Sequence, residues 1–175
     1  MSWIQTYTGR MFWPMRPRVE DLDIRDIAHS LAMQCRFNGH CRVFYSVAEH
    51  CVRVSRILPP ELAAWGLLHD AAEAYMSDLP RPVKQSLPEF AAAEERLLQV
   101  VADRFGLAWP IPQAVWQADD ALLATEARDL MAPPPKSWGL SVPPLPAPIV
   151  PVSTGQAEEM FLACWALQST AGQAR

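Results

Sequence analysis

The chain has 175 residues, half of them apolar, and a formal net charge of −4. This length suffices for one hydrophobic core, so we expect a single domain over residues 1–175. The negative charge and the presence of only two lysines argue against binding to polymeric nucleic acid, which requires many contacts to phosphate.

Apolar residues at helical spacing predict a first helix after an irregular start. The acids Glu20-Asp21 mark its beginning, and an apolar stripe runs from Ile24 to Cys35. Asn38-Gly39 ends this helix, and a second helix starts near Ser46. His50 lies on the apolar face of that second helix, so we expect it to point into the protein.

Two prolines, Pro59-Pro60, open a third helix that is apolar on nearly all sides as far as Ala72. His69-Asp70 therefore lies inside the protein. A buried imidazole and carboxylate are costly unless they are paired or bind a metal.

The remaining elements complete an all-α fold. After a proline-rich turn over Asp78–Pro82, a fourth helix runs from Pro88 to Gly106, and a fifth helix turns Asp119 inward. Eight of the seventeen prolines lie between Pro133 and Pro151, which predicts an extended loop and a candidate oligomer contact. A capping box at Ser153–Gln156 opens a closing helix. We thus predict a single helical bundle with a proline-rich C-terminal loop and a closing helix.

Composition also indicates the compartment. The four cysteines lack C-x-x-C spacing and the first residues lack a basic segment followed by an apolar one, so we expect reduced thiols in the cytoplasm. No apolar run approaches the roughly 20 residues of a membrane span, and we expect no membrane partner.

Two imidazoles and two carboxylates on separate inward faces predict one metal site. This mixed nitrogen and oxygen set suits a divalent transition ion such as Zn, Co, Mn or Fe better than calcium. Taken singly, an inward histidine is more often a hydrogen-bonded core residue and an inward aspartate a cap or ion-pair partner. The predicted ligands are His50, His69, Asp70 and Asp119.

Other polar and aromatic residues fit a phosphoester hydrolase around that ion. Glu73 and Asp78 follow the His-Asp pair and are candidates to take or give a proton, although the sequence does not divide these roles between them. Arg36 and Lys84 are candidates to neutralise phosphates, with a solvated surface charge as the alternative. Trp13, Phe37 and Pro80 are candidate walls for a base or sugar, with plain packing as the alternative.

These motifs resemble the HD-domain phosphohydrolases, and within them the bacterial 5'-deoxynucleotidase branch, from about Ile27 to Leu130. The resemblance implies that His50, His69, Asp70 and Asp119 bind the metal and that Glu73 and Asp78 serve water and substrate. It also implies that Arg36-Phe37, on the first helix, contacts the nucleotide, with phenylalanine where the nucleotidases carry tryptophan. The motifs that carry it are Val47-Ala48-Glu49-His50, His69-Asp70-Ala71-Ala72-Glu73, Ser77-Asp78-Leu79-Pro80 and Gln117-Ala118-Asp119.

Short phage-encoded members of the family are still more similar in size and layout. This similarity implies hydrolysis of dATP to deoxyadenosine and triphosphate, in phages that replace adenine with 2-aminoadenine. We also expect Mg on the substrate phosphates. It also implies a homo-oligomer, a dimer or a hexamer. Two alternatives stay open: a 5'-deoxynucleotidase that acts on nucleoside monophosphates, and a non-catalytic interaction protein in which the metal only stabilises the fold.

Overall fold

The computed structural model describes residues 2–140 and 142–173. Within them nearly all regular structure is helical, which confirms the predicted all-α bundle. A small antiparallel hairpin pairs Ile4–Gln5 (β1) with Met11–Phe12 (β2). The helices are Ile24–Met33 (α1), Val47–Ile57 (α2), Pro60–Leu68 (α3), Glu73–Met76 (α4), Arg81–Gln85 (α5), Pro88–Phe105 (α6), Gln113–Leu130 (α7) and Thr154–Gln173 (α8).

Capping side chains, prolines and a glycine explain where several of the helices begin or end. The side chains of Asp23 and Ser46 accept hydrogen bonds from free N–H groups in the first turns of α1 and α2. Pro60 and Pro88 open α3 and α6, where the missing N–H costs nothing. Gly106 ends α6 in the left-handed conformation, with φ of 68°.

Helix α2 lies at the centre of the bundle. It packs against α1, α3, α7 and α8, so its apolar side chains and those of α3 form much of the core. His50 lies on α2 and is therefore surrounded by protein on every side. None of the described helices combines the length and the apolar character that crossing a membrane requires.

The N-terminal hairpin, which the sequence left as irregular, is fixed to α1 by polar contacts. The backbone N–H and the hydroxyl of Thr8 donate to the two carboxylate oxygens of Asp26, at 2.6 and 2.9 Å. The ring of Tyr7 stacks on His29 with centroids 3.7 Å apart. This anchoring places Phe12 in the core, where it is fully buried.

The proline-rich segment, described over residues 133–140 and 142–151, contains neither helix nor strand, as predicted for a loop, and contacts α7 and α2. Arg128 donates to the carbonyl oxygens of Leu145 and Ala147, and the N–H of Ile149 donates to Asp129. Because Ile149 is buried, the segment covers one side of the core. The capping box after it is present: Ser153 and Gln156 exchange side-chain to backbone hydrogen bonds.

The prediction was wrong where helices end. Helix α1 stops at Met33 instead of Cys35, because the backbone of Cys35 pairs with that of Ser46 as an isolated β-bridge. Helix α3 stops at Leu68, so His69-Asp70 lies in a turn between α3 and α4. The proline-rich turn after Asp78 contains the short helix α5, because the carbonyl of Pro80 accepts the first hydrogen bonds of a helical turn.

Candidate metal centre

The four predicted metal ligands come together from three elements. His50 comes from α2, His69 and Asp70 from the turn after α3, and Asp119 from α7. The Nε2 atom of His50 lies 3.3 Å from Nε2 of His69 and 3.1 Å from Asp119 Oδ1. Asp70 Oδ2 is 3.7 Å from His50 Nε2 and 3.4 Å from His69 Nε2. Both imidazoles are buried, whereas the side chains of Asp70 and Asp119 are 17% and 15% exposed, so the cluster is open to solvent on the side of its carboxylates.

The orientation of both imidazoles fits a bound cation. His50 Nδ1 lies 2.6 Å from Glu126 Oε1, and His69 Nδ1 lies 2.9 Å from the carbonyl oxygen of Gly66. With each Nδ1–H donating outward, each Nε2 turns its lone pair toward the same point, an arrangement that needs a proton or an ion between the rings. His50, His69 and Asp119 have donor atoms close enough to hold one metal ion. Cys51 is a further candidate donor beside His69 and Asp70.

The charges around His50 favour a cation at this position. Burial and the Arg36 guanidinium act to lower the pKa of His50, but Glu126 and the hydrogen bond to Asp119 outweigh them and raise it to about 9. Burial acts to raise the pKa of Asp119, and the contact with His50 overrides it and holds that pKa well below its usual range. A divalent ion would take the place of the imidazole proton, because metal and proton compete for the same lone pair.

The predicted proton-transfer residues are Glu73 and Asp78, and burial together with the negative charge of Asp70 raises the pKa of both. Burial raises the pKa of Glu73 well above its usual range, and the neighbouring Asp70 and Asp78 add to the shift. Burial likewise raises the pKa of Asp78. Glu73 Oε2 is buried and has no hydrogen-bond partner among the described residues. A carboxyl that holds its proton to high pH can donate it to a leaving oxygen.

Gln34, which the sequence did not single out, connects these two carboxyl residues. Its Nε2 donates to the carbonyl oxygen of Glu73 at 3.0 Å, and its Oε1 accepts from the N–H of Asp78 at 3.2 Å. Gln34 directly follows the last residue of α1, so one side chain links the end of α1 to both ends of α4. These contacts hold the backbones of Glu73 and Asp78 at a fixed separation.

The predicted phosphate-binding cations lie in different surroundings. Arg36 lies in a 3-10 turn, Arg36–Gly39, and not on the first helix. It is largely buried, with Nε 3.1 Å from Glu126 Oε2 and one terminal nitrogen 3.5 Å from Asp70 Oδ2. Lys84, on α5, donates to Glu94 at 2.7 Å and lies 3.8 Å from Glu73 Oε1.

The three predicted walls for a base or sugar, Phe37, Trp13 and Pro80, lie in different parts of the structure. Phe37 follows Arg36 in the left-handed conformation, with the Arg36 guanidinium 5.5 Å from its ring and the Trp138 ring 6.1 Å away. Trp13 follows the N-terminal hairpin, where Arg18 covers its ring. Pro80 is the residue before α5, half-buried beside the segment that carries Lys84.

Trp116, on α7, is an aromatic residue that sequence analysis missed. Its ring meets His69 edge-on at 6.2 Å, and the side chain is 43% exposed. It stands three residues before Asp119, one helical turn away. This spacing from Asp119 was visible in the sequence and could have identified Trp116. Glu126 had no such signal, because only the folded structure shows that it faces His50 across the bundle.

The chain is similar in sequence to several known bacterial proteins. The chain is 39% identical over 166 residues to the uncharacterised protein YfdR of Escherichia coli, covering 93% of each chain. It is 34% identical to an uncharacterised protein of Rhodobacter capsulatus over 73% of this chain and 70% of that protein. A 5'-deoxynucleotidase of Vibrio atlanticus is 31% identical over 53% of this chain and 48% of its own length. No family model matches the chain.

Proposed function

The chain belongs to the same protein family as Escherichia coli YfdR, and from this premise we propose that it is a metal-dependent phosphohydrolase of deoxynucleotides, of the HD-domain type. The observation that carries the proposal is the cluster of His50, His69, Asp70 and Asp119. Similarity to a 5'-deoxynucleotidase over about half the chain supports the same class of reaction.

A divalent transition ion at this cluster would supply Lewis-acid chemistry, polarising a phosphoryl oxygen and activating water. The two histidines would hold the ion through Nε2, since their Nδ1 atoms are already engaged. Glu73, with its raised pKa, donates its proton to the oxygen that leaves phosphorus, and Asp78 accepts the proton that the attacking water loses, so one proton is given and one is taken. Glu73 is buried, which keeps bulk water from its carboxyl group.

The cations near the site have separate tasks in this proposal. Lys84 lies between Glu73 and Glu94 and neutralises a phosphate that enters beside Glu73. Arg36 already contacts Glu126 and Asp70. A guanidinium has five N–H donors, so Arg36 binds a phosphate with those that these two contacts do not use.

The substrate that we favour is dATP, cleaved to deoxyadenosine and triphosphate as in the short phage enzymes that the motifs resemble. A 5'-deoxynucleoside monophosphate is the second candidate, because the Vibrio atlanticus relative is named a 5'-deoxynucleotidase. Phe37 and Trp116, both near the cluster, are the side chains that we propose for contact with the base or sugar.

The test is product analysis after incubation of the protein with dATP, dGTP, ATP and dAMP in Co²⁺ or Mn²⁺. Triphosphate with deoxyadenosine as products identifies the triphosphohydrolase, and free phosphate with deoxyadenosine from dAMP identifies the monophosphatase. Stepwise appearance of dADP and dAMP excludes single-step cleavage.

His69→Ala and Asp119→Ala are the matched inactive variants, and both are expected to remove all turnover. If no nucleotide is hydrolysed by the wild type while metal still stabilises the fold, the phosphohydrolase proposal is wrong. The metal site would then serve as a structural support in an interaction protein.

A further inference from the structure

Glu126, on α7, is completely buried and uses both of its carboxylate oxygens. Oε1 accepts from His50 Nδ1 at 2.6 Å, and Oε2 accepts from Arg36 Nε at 3.1 Å. Burial acts to raise the pKa of Glu126, but Arg36 and His50 outweigh it and hold that pKa below its usual range. A buried carboxylate is tolerated at such a place because both partners are charge-assisted donors.

The same contacts join two of the candidate metal ligands. Arg36 reaches from Glu126 to Asp70, with a terminal nitrogen 3.5 Å from Asp70 Oδ2. A chain of contacts therefore runs from His50 through Glu126 and Arg36 to Asp70. His50 and Asp70 stand on different elements, α2 and the turn after α3, so this chain sets their relative position.

We propose that Glu126 is a positioning residue for the metal centre. It holds His50 in the tautomer that directs Nε2 to the ion, and through Arg36 it fixes Asp70. The proposal rests on the metal centre of the proposed function, and it is tested by metal affinity, which does not depend on nucleotide turnover. Partners of this kind are worth about 10- to 100-fold in metal affinity.

The experiment measures the dissociation constant for Zn²⁺ or Co²⁺ by calorimetry on chelator-treated protein. Glu126→Gln keeps the size of the side chain, but its amide nitrogen cannot accept from either partner. Glu126→Asp keeps the charge but is too short to reach both. We expect both variants to bind the ion about 10- to 100-fold more weakly than the wild type.

Glu49→Gln is the matched control. Glu49 is also fully buried and also pairs with an arginine, but its carboxylate bonds Arg53 and the N–H of Val152 instead of a histidine. This variant loses the same charge and is expected to bind metal as the wild type does. Equal metal affinity in folded Glu126→Asp and wild-type protein would overturn the positioning role.

A measurement on the wild type keeps the proposal testable if the Glu126 variants fail to fold. Nitrogen NMR of histidine-labelled protein, loaded with Zn²⁺, reports which ring nitrogen carries the proton. We expect His50 to be protonated at Nδ1 and to bind the ion through Nε2. A His50 ring protonated at Nε2 would contradict the proposal, whereas metal binding without any nucleotide hydrolysis would contradict only the proposed function.

Discussion

At the scale of single residues, the proposed chemistry depends on Glu73 and Asp78 and not on the ligands alone. Glu73→Gln and Asp78→Asn keep shape and remove the titrating group, so we expect turnover to fall by about 10²- to 10⁴-fold, the usual contribution of proton transfer. Metal content should be unchanged, because neither residue belongs to the ligand set. Both quantities are measured on the same preparations, by steady-state kinetics and metal analysis.

Glu94→Gln is the control for these two variants, since Glu94 contacts Lys84 and lies one step further from the ligands. It should change KM more than kcat, because it alters the position of a phosphate-binding cation. Full activity in Glu73→Gln and Asp78→Asn would show that proton transfer in this protein uses other groups.

Asp23 gives a prediction for the dependence of stability on pH. Its hydrogen bonds with Arg25 lower its pKa from 3.8 to about 2. The folded-state pKa is lower than the unfolded one, so the stabilisation is present above about pH 4 and is lost as pH falls toward 2. Asp23→Asn keeps a capping oxygen but not the charge.

We expect urea denaturation to show Asp23→Asn less stable at neutral pH by about 0.5–1 kcal/mol, because Arg25 is exposed and water screens the pair. The difference from wild type should shrink below about pH 4. A difference that stays constant from neutral to acidic pH would contradict the assigned pKa.

At the scale of elements, the approach of α3 to α2 depends on Gly66. A Cβ atom at Gly66 would lie 2.6 Å from Leu58 Cδ1 and 2.8 Å from the Cα of Ser55. Gly66→Ala must therefore push α3 from α2, at a cost of about 1–3 kcal/mol that exceeds the roughly 1 kcal/mol gained in helix propensity. The free energy of unfolding in urea measures this loss.

Gly155→Ala is the matched control, since a Cβ there meets nothing within 4 Å. Its stability should change by about 0.5 kcal/mol or less. If Gly66→Ala is as stable as Gly155→Ala, the close packing of α2 and α3 is not as described.

The same elements explain which parts of the fold could be predicted. Apolar periodicity and capping residues located α2, α6, α7 and α8, because these signals are local in sequence. The end of α3 at Leu68 was missed, since neither proline nor glycine follows it and Ala71-Ala72 continue the helical pattern of small apolar residues. The 3-10 turn at Arg36–Gly39 was missed because pairing of Cys35 with Ser46 is a contact between segments distant in sequence.

At the scale of the whole molecule, the candidate metal centre joins α2, the turn after α3, and α7, so we expect a bound ion to stabilise the packing of the bundle. An ion at 100 times its dissociation constant adds about 2.7 kcal/mol to the free energy of unfolding. For a chain of this length that raises Tm by about 5–10 °C.

Thermal melts with and without chelator measure this gain, and Asp119→Ala is the variant that should lose it. If chelator leaves Tm of the wild type unchanged, the cluster holds no ion under those conditions. A chelator effect of equal size in Asp119→Ala would mean that the ion binds elsewhere.

The four predicted ligands could be chosen from the sequence because each lies on an inward face, and the structure brings their donor atoms together. Their chemical role as ligands stays a prediction. Glu126 and Gln34 could not be assigned in the same way. Their roles come from contacts across the bundle, such as that of Glu126 with His50, which no local spacing encodes.

The most direct test of the account is a metal titration of chelator-treated protein in which bound Co²⁺ and deoxynucleotide hydrolysis are followed together. We predict that hydrolysis returns in proportion to one ion bound per chain, and that His69→Ala neither binds this ion nor regains activity. Hydrolysis by metal-free protein, or equal activity in His69→Ala, would contradict the assignment of this site.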